Sequence, residues 1–556
     1  MRLGWIAAVL LVLASAARAA EGMKPPNLSF AEVDWSAAIA SLADVDILGP
    51  AASAARIRTA QAGGIELPIP VLTRLNAAMA QRLTGIATTP VPVLLPYDVE
   101  ALLRGQAAGT APDSDDSYLS GFHAAKFFYP GPAGYDAVFA LRTAQVAELS
   151  DIQFSKPIEV QISGSLVLYE LDPPVAASGA PVPELEHAFP GIRRLMLEHY
   201  LRYTFVRFGV PYVVSAVCFD GSSPREGLPT CRAADRVVLR FLHALQFAGG
   251  TPTGLRATKP LPVERPAAVS TAFGYYAPGQ LLSGTGVRGK SGREDYTVYS
   301  QIRFPLADAP ARGGSEVFHR DNRKLASDPD EPAHASYVWR DNFCERRGFP
   351  VAQCPAGIGH QGQDVRPLQC KPMPGTDRCD RHGEVLAVRG GIILRSPKQE
   401  AAYLFVNSAN EHIRFRYLHM SPRKMDEDGL LSGRRVNEGE VIGEVSNFSM
   451  QEAGTSYHLH FDIQVPTKDG WVFVNPYMTL VAAYERLIDA RGTELSDPVA
   501  ADSASSSGSD SAPASPVAAD SDAKPKPASV KTPKRANDEP RRSKSKSRDR
   551  HRDAKR

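Results

Sequence analysis

The hexapeptide His458-Leu-His-Phe-Asp-Ile463 constrains this chain more than any other stretch. Its alternation fits a β-strand, in which successive side chains point to opposite faces. Leu459, Phe461 and Ile463 then face a core, while His458, His460 and Asp462 share the other face. Two imidazoles and a carboxylate on one face of a half-buried strand call for a sheet around them and a polar task in front of them.

A partner for that face lies a hundred residues upstream. His360 and Asp364 sit in a segment crowded by Pro355, Gly357, Gly359, Gly362 and Pro367, which disfavours helix and predicts a glycine-rich turn or strand end. Imidazole nitrogen with carboxylate oxygen suits zinc, and carboxylate also admits other divalent ions. Taken as ligands, His360, Asp364 and His460 leave a fourth position for water, the pattern of a catalytic rather than a structural zinc site. One Zn2+ per chain is expected. Two more histidines, His419 in Tyr417-Leu-His-Met-Ser421 and His458, are candidates for moving protons near neutral pH. No His-Glu-x-x-His occurs, so a helix-borne site with a glutamate base is excluded. His319, His334, His382 and His412 match no ligand spacing, and His123, His187, His199 and His243 are scattered, so these read as surface or satisfied core histidines.

The order H-x-x-x-D, Y-x-H-M-S, H-x-H-F-D resembles the lysostaphin-type (LytM-like) zinc metallopeptidases that cut peptidoglycan cross-bridges. Gly383-Glu-Val-Leu-Ala-Val388, Val436-Asn-Glu-Gly-Glu-Val-Ile-Gly443 and Asn475-Pro476 resemble further parts of that family's pattern. The resemblance covers about 360–480. It implies a mostly antiparallel β domain with the site in an open groove, zinc on His360, Asp364 and His460, and catalytic assistance from His419 and His458. The substrate it implies is a peptidoglycan stem-peptide cross-link. A second reading is a LytM-like regulator that activates other wall hydrolases. Such proteins usually lack several of the five positions, and this chain keeps all five. Two departures stand out: Asp364 and Gly383 are nineteen positions apart, with Cys370 and Cys379 in the excess, and the segment before the last motif reads Ser446-Asn-Phe-Ser449.

At 556 residues the whole chain is too long for one compact domain. Residues 1–20 have the form of an export signal, with Arg2, an apolar run from Trp5 to Leu13, and small residues before the expected cleavage point. Residues 21–260 read as a mixed α/β region of unknown role, with helical periodicity around Phe30–Leu42, Asp98–Arg104, Ile192–Val206 and Ala234–Leu245 and strands at Ile158–Tyr169 and Tyr212–Val217. Residues 247–330 hold many Gly, Pro, Ser and charged positions, with a strand-like piece at Tyr296–Phe304; of these, 261–300 read as a connector, and 301–490 read as the peptidase domain. The fold class is therefore α+β. From 491 to 556 a disordered tail is expected, since its Ser, Ala, Asp, Pro and Lys cannot bury enough apolar surface to order it.

Six cysteines fall as neighbours, Cys218 with Cys231, Cys344 with Cys354 and Cys370 with Cys379, and local pairing is the simplest of fifteen connectivities. Bridges and an export signal point together to an oxidising compartment, most simply a bacterial periplasm. The net charge of +2 hides a basic end: residues 541–556 carry nine Lys or Arg and two Asp, leaving −5 for the rest. That end suits anionic envelope polymers or plain solubility, and no aromatic residues interleave it as nucleic-acid binding would favour. No stretch after the signal is long and apolar enough to span a bilayer. An unrestrained wall hydrolase endangers its own cell, so residues 21–260 or the 370–379 loop are expected to cover the groove, and deleting 21–260 to raise activity.

Overall fold

A computed structural model describes residues 22–495 except 43–68, 108–117, 124, 176–178, 198–199, 221–227, 253–259, 283, 287–291, 316–318, 321–322, 325–337, 372, 374 and 380–381. Residues 1–21, where an export signal is expected, and residues 496–556 lie outside the described residues. The described part belongs to one compact unit, mostly antiparallel β with few helices, an α+β fold.

Two large sheets organise it. The N-terminal sheet contains β1 (Phe127–Gly131), β2 (Gly134–Leu141), β3 (Ile158–Ser165), β4 (Ala180–Pro181), β5 (Arg193–Leu197), β6 (Tyr200–Arg207) and β7 (Val210–Val217), in the order β1-β2-β3-β7-β6-β5-β4. The C-terminal sheet contains β8 (Ala311–Gly313), β9 (Gln363–Pro367), β10 (Gly391–Leu394), β11 (Ala402–Asn407), β12 (His412–Leu418), β13 (Arg435–Val436), β14 (Leu459–Thr467) and β15 (Gly470–Val474). Its order is β8-β9-β14-β12-β11-β10-β13, with β15 beside the second half of β14.

Period-two patterning places each sheet. On β3, Ile158, Val160 and Ile162 enter a core that includes Val237, Val238, Phe241 and Leu242 of helix α1 (Cys231–His243). Those positions recur at helical spacing, and Thr230 caps the helix by accepting from the Ala233 amide at 3.2 Å. On β12 and β14, Ile413, Phe415, Tyr417, Leu459, Phe461 and Ile463 enter a second core, with Leu480, Val481 and Tyr484 of helix α2 (Tyr477–Leu487). The opposite faces of the two sheets meet each other. Phe127, Val138 and Tyr200 pack there against Leu394, Tyr403 and Phe405, with the Tyr200 and Tyr403 rings 5.1 Å apart.

Polar residues join the two sheets as well. Arg414 of β12 donates to Ser163 of β3, and Arg202 of β6 donates to Gln464 of β14. The Ala133 amide donates to Asn407 Oδ1 at 3.0 Å.

Several expectations change. Ile192–Val206 forms β5 and β6 rather than helix, because its Tyr, Thr, Phe and Val residues fit a paired strand and β7 supplies the pairing. Within Phe30–Leu42 only Trp35–Ala40 is helical, capped by Asp34, and Asn27–Phe30 is a strand paired with Val167–Glu170. Tyr296–Phe304 is not a strand, although Val298, Tyr299, Ile302 and Phe304 are buried. The connector contributes the strand Val269–Tyr276, which pairs in parallel with Arg491–Leu495, so the first five residues assigned to the tail are ordered. No described helix is long and apolar enough to cross a membrane. All three neighbour pairings of cysteines are present as disulfides.

Candidate metal centre

Strand register builds the site. Asp364 on β9 lies directly opposite His460 on β14, and Leu418, the last residue of β12, lies opposite His460 on the other side. His460 and Asp462 therefore share a face with Leu418 and Arg416, while His419 leaves the end of β12 with φ 66°. A non-glycine residue there holds roughly 1–3 kcal/mol of strain, which the surrounding structure must offset.

His360 arrives on a loop pinned at its base. The Cys344 amide donates to the His360 carbonyl at 3.0 Å and the His360 amide to the Glu345 carbonyl at 2.8 Å, beside the Cys344–Cys354 bridge. Gly362 lets this loop approach β14: a Cβ there would stand 2.4 Å from the Phe461 carbonyl oxygen and 2.9 Å from His460 Nε2.

Neighbouring groups fix which nitrogen of each ring is bare. His360 Nδ1 lies 2.9 Å from the Asn342 carbonyl, which can only accept, so Nδ1 carries the proton and Nε2 is left as a lone pair. His460 Nε2 lies 3.3 Å from Asp462 Oδ2, and Arg416 donates to that same carboxylate. His460 Nδ1 is thus turned toward His360 Nε2 at 2.9 Å and Asp364 Oδ1 at 3.3 Å. His360 Nε2 and Asp364 Oδ1 are 3.5 Å apart. Asn342 orients the carboxylate, donating to Asp364 Oδ2 at 2.7 Å while its Oδ1 accepts the Asp364 amide at 3.0 Å. Three donor atoms within 4.8 Å of one another, backed by a carbonyl, a carboxylate and an amide, fit a divalent cation.

The electrostatics agree. Burial pushes His360 down to about 3, keeping it neutral despite Asp364. Burial also opposes charge on His460, but Asp364 and Asp462 outweigh it and the ring lies above its ordinary value. Asp364 is held well below the usual carboxylate range because His360, His458 and His460 outweigh its burial. The cluster draws positive charge into itself.

His419 and His458 stand beside the donor triad, with rings 4.7 Å apart. His419 Nδ1 is held by the Phe448 carbonyl at 2.9 Å, and His458 Nδ1 by the Ser456 carbonyl at 2.9 Å. His458 Nε2 is 3.6 Å from Asp364 Oδ1 and has no hydrogen-bond partner among the described residues. Burial pushes His458 down to about 4 and His419 well below its ordinary value, so both rings are neutral.

All five residues singled out in the sequence therefore meet at one place. Four of them, Asp364, His458, His360 and His460, are at most 5 % exposed, and His419 is half-buried. The N-terminal sheet covers the face of the C-terminal sheet next to it. The disulfide-closed 370–379 loop lies against the segment that holds His419, with the Asn447 amide donating to the Asp377 carbonyl at 3.3 Å. Sequence reasoning missed Asn342 and Arg416. Alternation along β12 placed Arg416 on the polar face, but nothing local marked Asn342.

No protein-family model matches this chain, and no curated protein matches it. Among solved structures, a protein described as a glycyl-glycine endopeptidase, lytM, from Ruminococcus gnavus is 20% identical over 24% of this chain and 49% of its own, with a TM-score of 0.18. The match thus spans about half of that protein, and a likeness of this size carries no argument about activity.

Proposed function

We propose that this chain is an exported zinc metalloendopeptidase that hydrolyses peptide cross-links of bacterial peptidoglycan. One observation carries the reading: His360, Asp364 and His460 converge with a donor atom of each within 4.8 Å of the others, and two further imidazoles stand beside them. Zinc bound to these three residues would supply Lewis acidity, lowering the pKa of a water and polarising a peptide carbonyl. Three protein ligands rather than four favour that use over a structural one.

The chain's own residues supply the rest. Asp462, oriented by Arg416, fixes the His460 tautomer, and the Asn342 carbonyl fixes that of His360. His419 and His458 each hold a proton on Nδ1 against a carbonyl, leaving Nε2 to take or return one during amide hydrolysis. The export signal, the three bridges and the basic end support a bacterial periplasmic setting in which the tail rests on anionic envelope polymers.

The burial of four of the five site residues favours a second reading, a LytM-like regulator that binds and activates other wall hydrolases. Muropeptide release from purified peptidoglycan, by the mature chain and by His460→Ala, separates the two when bound metal is quantified. Near one equivalent of zinc, with loss of cross-linked dimers only in the unaltered chain, is the expected result. Zinc retention without any cleavage would leave the regulator.

A further inference from the structure

Where the two sheets face each other, next to the metal centre, they leave a narrow slot that opens in part to solvent. Its floor is Arg416 and Leu418 of β12 with Tyr403 of β11, and its roof is Gln161 of β3 with Ser215 of β7. Arg416 ties the slot to the site, because its Nη2 lies 3.4 Å from His460 Nε2. Leu418 is the register partner of His460 and precedes His419.

Two amide side chains in the lining are unfinished. Gln161 is 4 % exposed and donates from Nε2 to Ser215 Oγ, while its Oε1 has no partner among the described residues. Gln399, at 7 % exposure, leaves its Nε2 without a partner among the described residues. Turning the Gln161 amide over exchanges the two atoms, but one still meets Ser215 and the other is still without a partner among the described residues. Burying such atoms without partners costs roughly 1–3 kcal/mol each. The cations of the lining are already engaged: Arg395 donates to Asp426, the Leu430 and Pro422 carbonyls and the Gln399 carbonyl, and Arg416 to Asp462 and Gln361. The lining of the slot thus holds an unpaired acceptor from β3 and an unpaired donor from the turn between β10 and β11, beside aromatic and aliphatic walls. A peptide backbone carries the complementary N–H and C=O.

We propose that this slot is a peptide subsite, roofed by the N-terminal sheet, in which Gln161 and Gln399 bind backbone amides of the chain presented to the metal centre. The assignment rests on the peptidase reading and gives the N-terminal region a role in substrate binding. Neither glutamine touches the reacting atoms; both are binding residues.

The test uses the full mature chain carrying His419→Ala, so that bound peptide is not consumed, and a fluorescein-labelled cross-linked muropeptide dimer followed by anisotropy. Gln161→Leu and Gln399→Leu should each weaken binding by about tenfold, the loss of one buried hydrogen bond. Capped tetra-alanine, which offers backbone amides alone, should compete with the dimer. In chains that retain His419, the same substitutions should raise KM while leaving kcat nearly unchanged. Ala401→Trp, at a half-buried position in the lining, should block the slot and abolish binding while bound zinc is unchanged. Should either glutamine variant fail to fold, as judged by its melting temperature, Ala401→Trp decides. Affinity within twofold of the parent in all folded variants would overturn the subsite, and a slot occupied by solvent alone predicts that outcome. A chain that binds the dimer through the slot but never cleaves it keeps the subsite and loses the peptidase reading. Cleavage that is equally fast in every variant does the reverse.

Discussion

Asp136 of the N-terminal sheet accepts a hydrogen bond from His412 Nε2 of the C-terminal sheet at 3.1 Å, and both residues are fully buried. Arg414 stands 3.7 Å from the same carboxylate, and Ser163 donates to it. Burial alone would raise the Asp136 pKa, but His412, Arg414 and Ser163 outweigh it and hold the group below its ordinary value. Removing one member of a buried charged set leaves the others without compensation. Asp136→Asn should therefore cost about 3–5 kcal/mol in urea unfolding.

The same carboxylate sets an acid limit. A depressed folded-state pKa contributes stability that is fully present above the unfolded value near 3.8 and is lost as pH falls through the lower folded value. Melting temperature should decline below about pH 4. In Asp136→Asn that part of the decline should be absent, and an identical acid slope in both chains would remove Asp136 as its source.

Deletion of residues 21–260 should not yield a faster enzyme. It would expose the Tyr403 and Phe405 rings and leave Arg414 and His412 without Asp136. We expect the truncated chain to aggregate, which gel filtration and thermal unfolding would report. A monomeric truncated chain with a sharp melting transition would refute this.

Metal affinity should depend on groups that never touch the metal. Asp462→Asn removes the acceptor that sets the His460 tautomer, so zinc affinity should fall about 10–100-fold in chelator competition. His460→Ala should remove binding altogether. His419→Ala and His458→Ala should instead keep the metal and lower turnover by about 10²–10⁴-fold, the usual contribution of a positioned proton-transfer group.

Reduction of the Cys344–Cys354 bridge should loosen the loop that delivers His360. A bridge across ten residues is worth about 3 kcal/mol by loop-closure entropy. Cys344→Ser/Cys354→Ser should lower the melting temperature and weaken zinc binding together.

The sequence by itself determined what depends on near neighbours. Alternation in His458–Ile463 forecast the two faces of β14, because strand side chains repeat every two residues whatever surrounds them. Short spacing brought the paired cysteines within reach, and glycine and proline kept His360–Asp364 out of a helix. Where periodicity pointed to a helix, as in Ile192–Val206, pairing with β7 made strand instead. Tertiary structure alone decided what the polar faces would meet. Glu159, Gln161 and Ser163 alternate with core residues as solvent-facing positions do, yet they stand against a second sheet, and Ser163 reaches Arg414 across 251 residues of chain. Asn342 orients Asp364, 22 residues away, and Asp136 meets His412 across 276. Such contacts leave no periodic trace in a sequence, because the chemistry that selects them is the complementarity of distant surfaces once each sheet has formed.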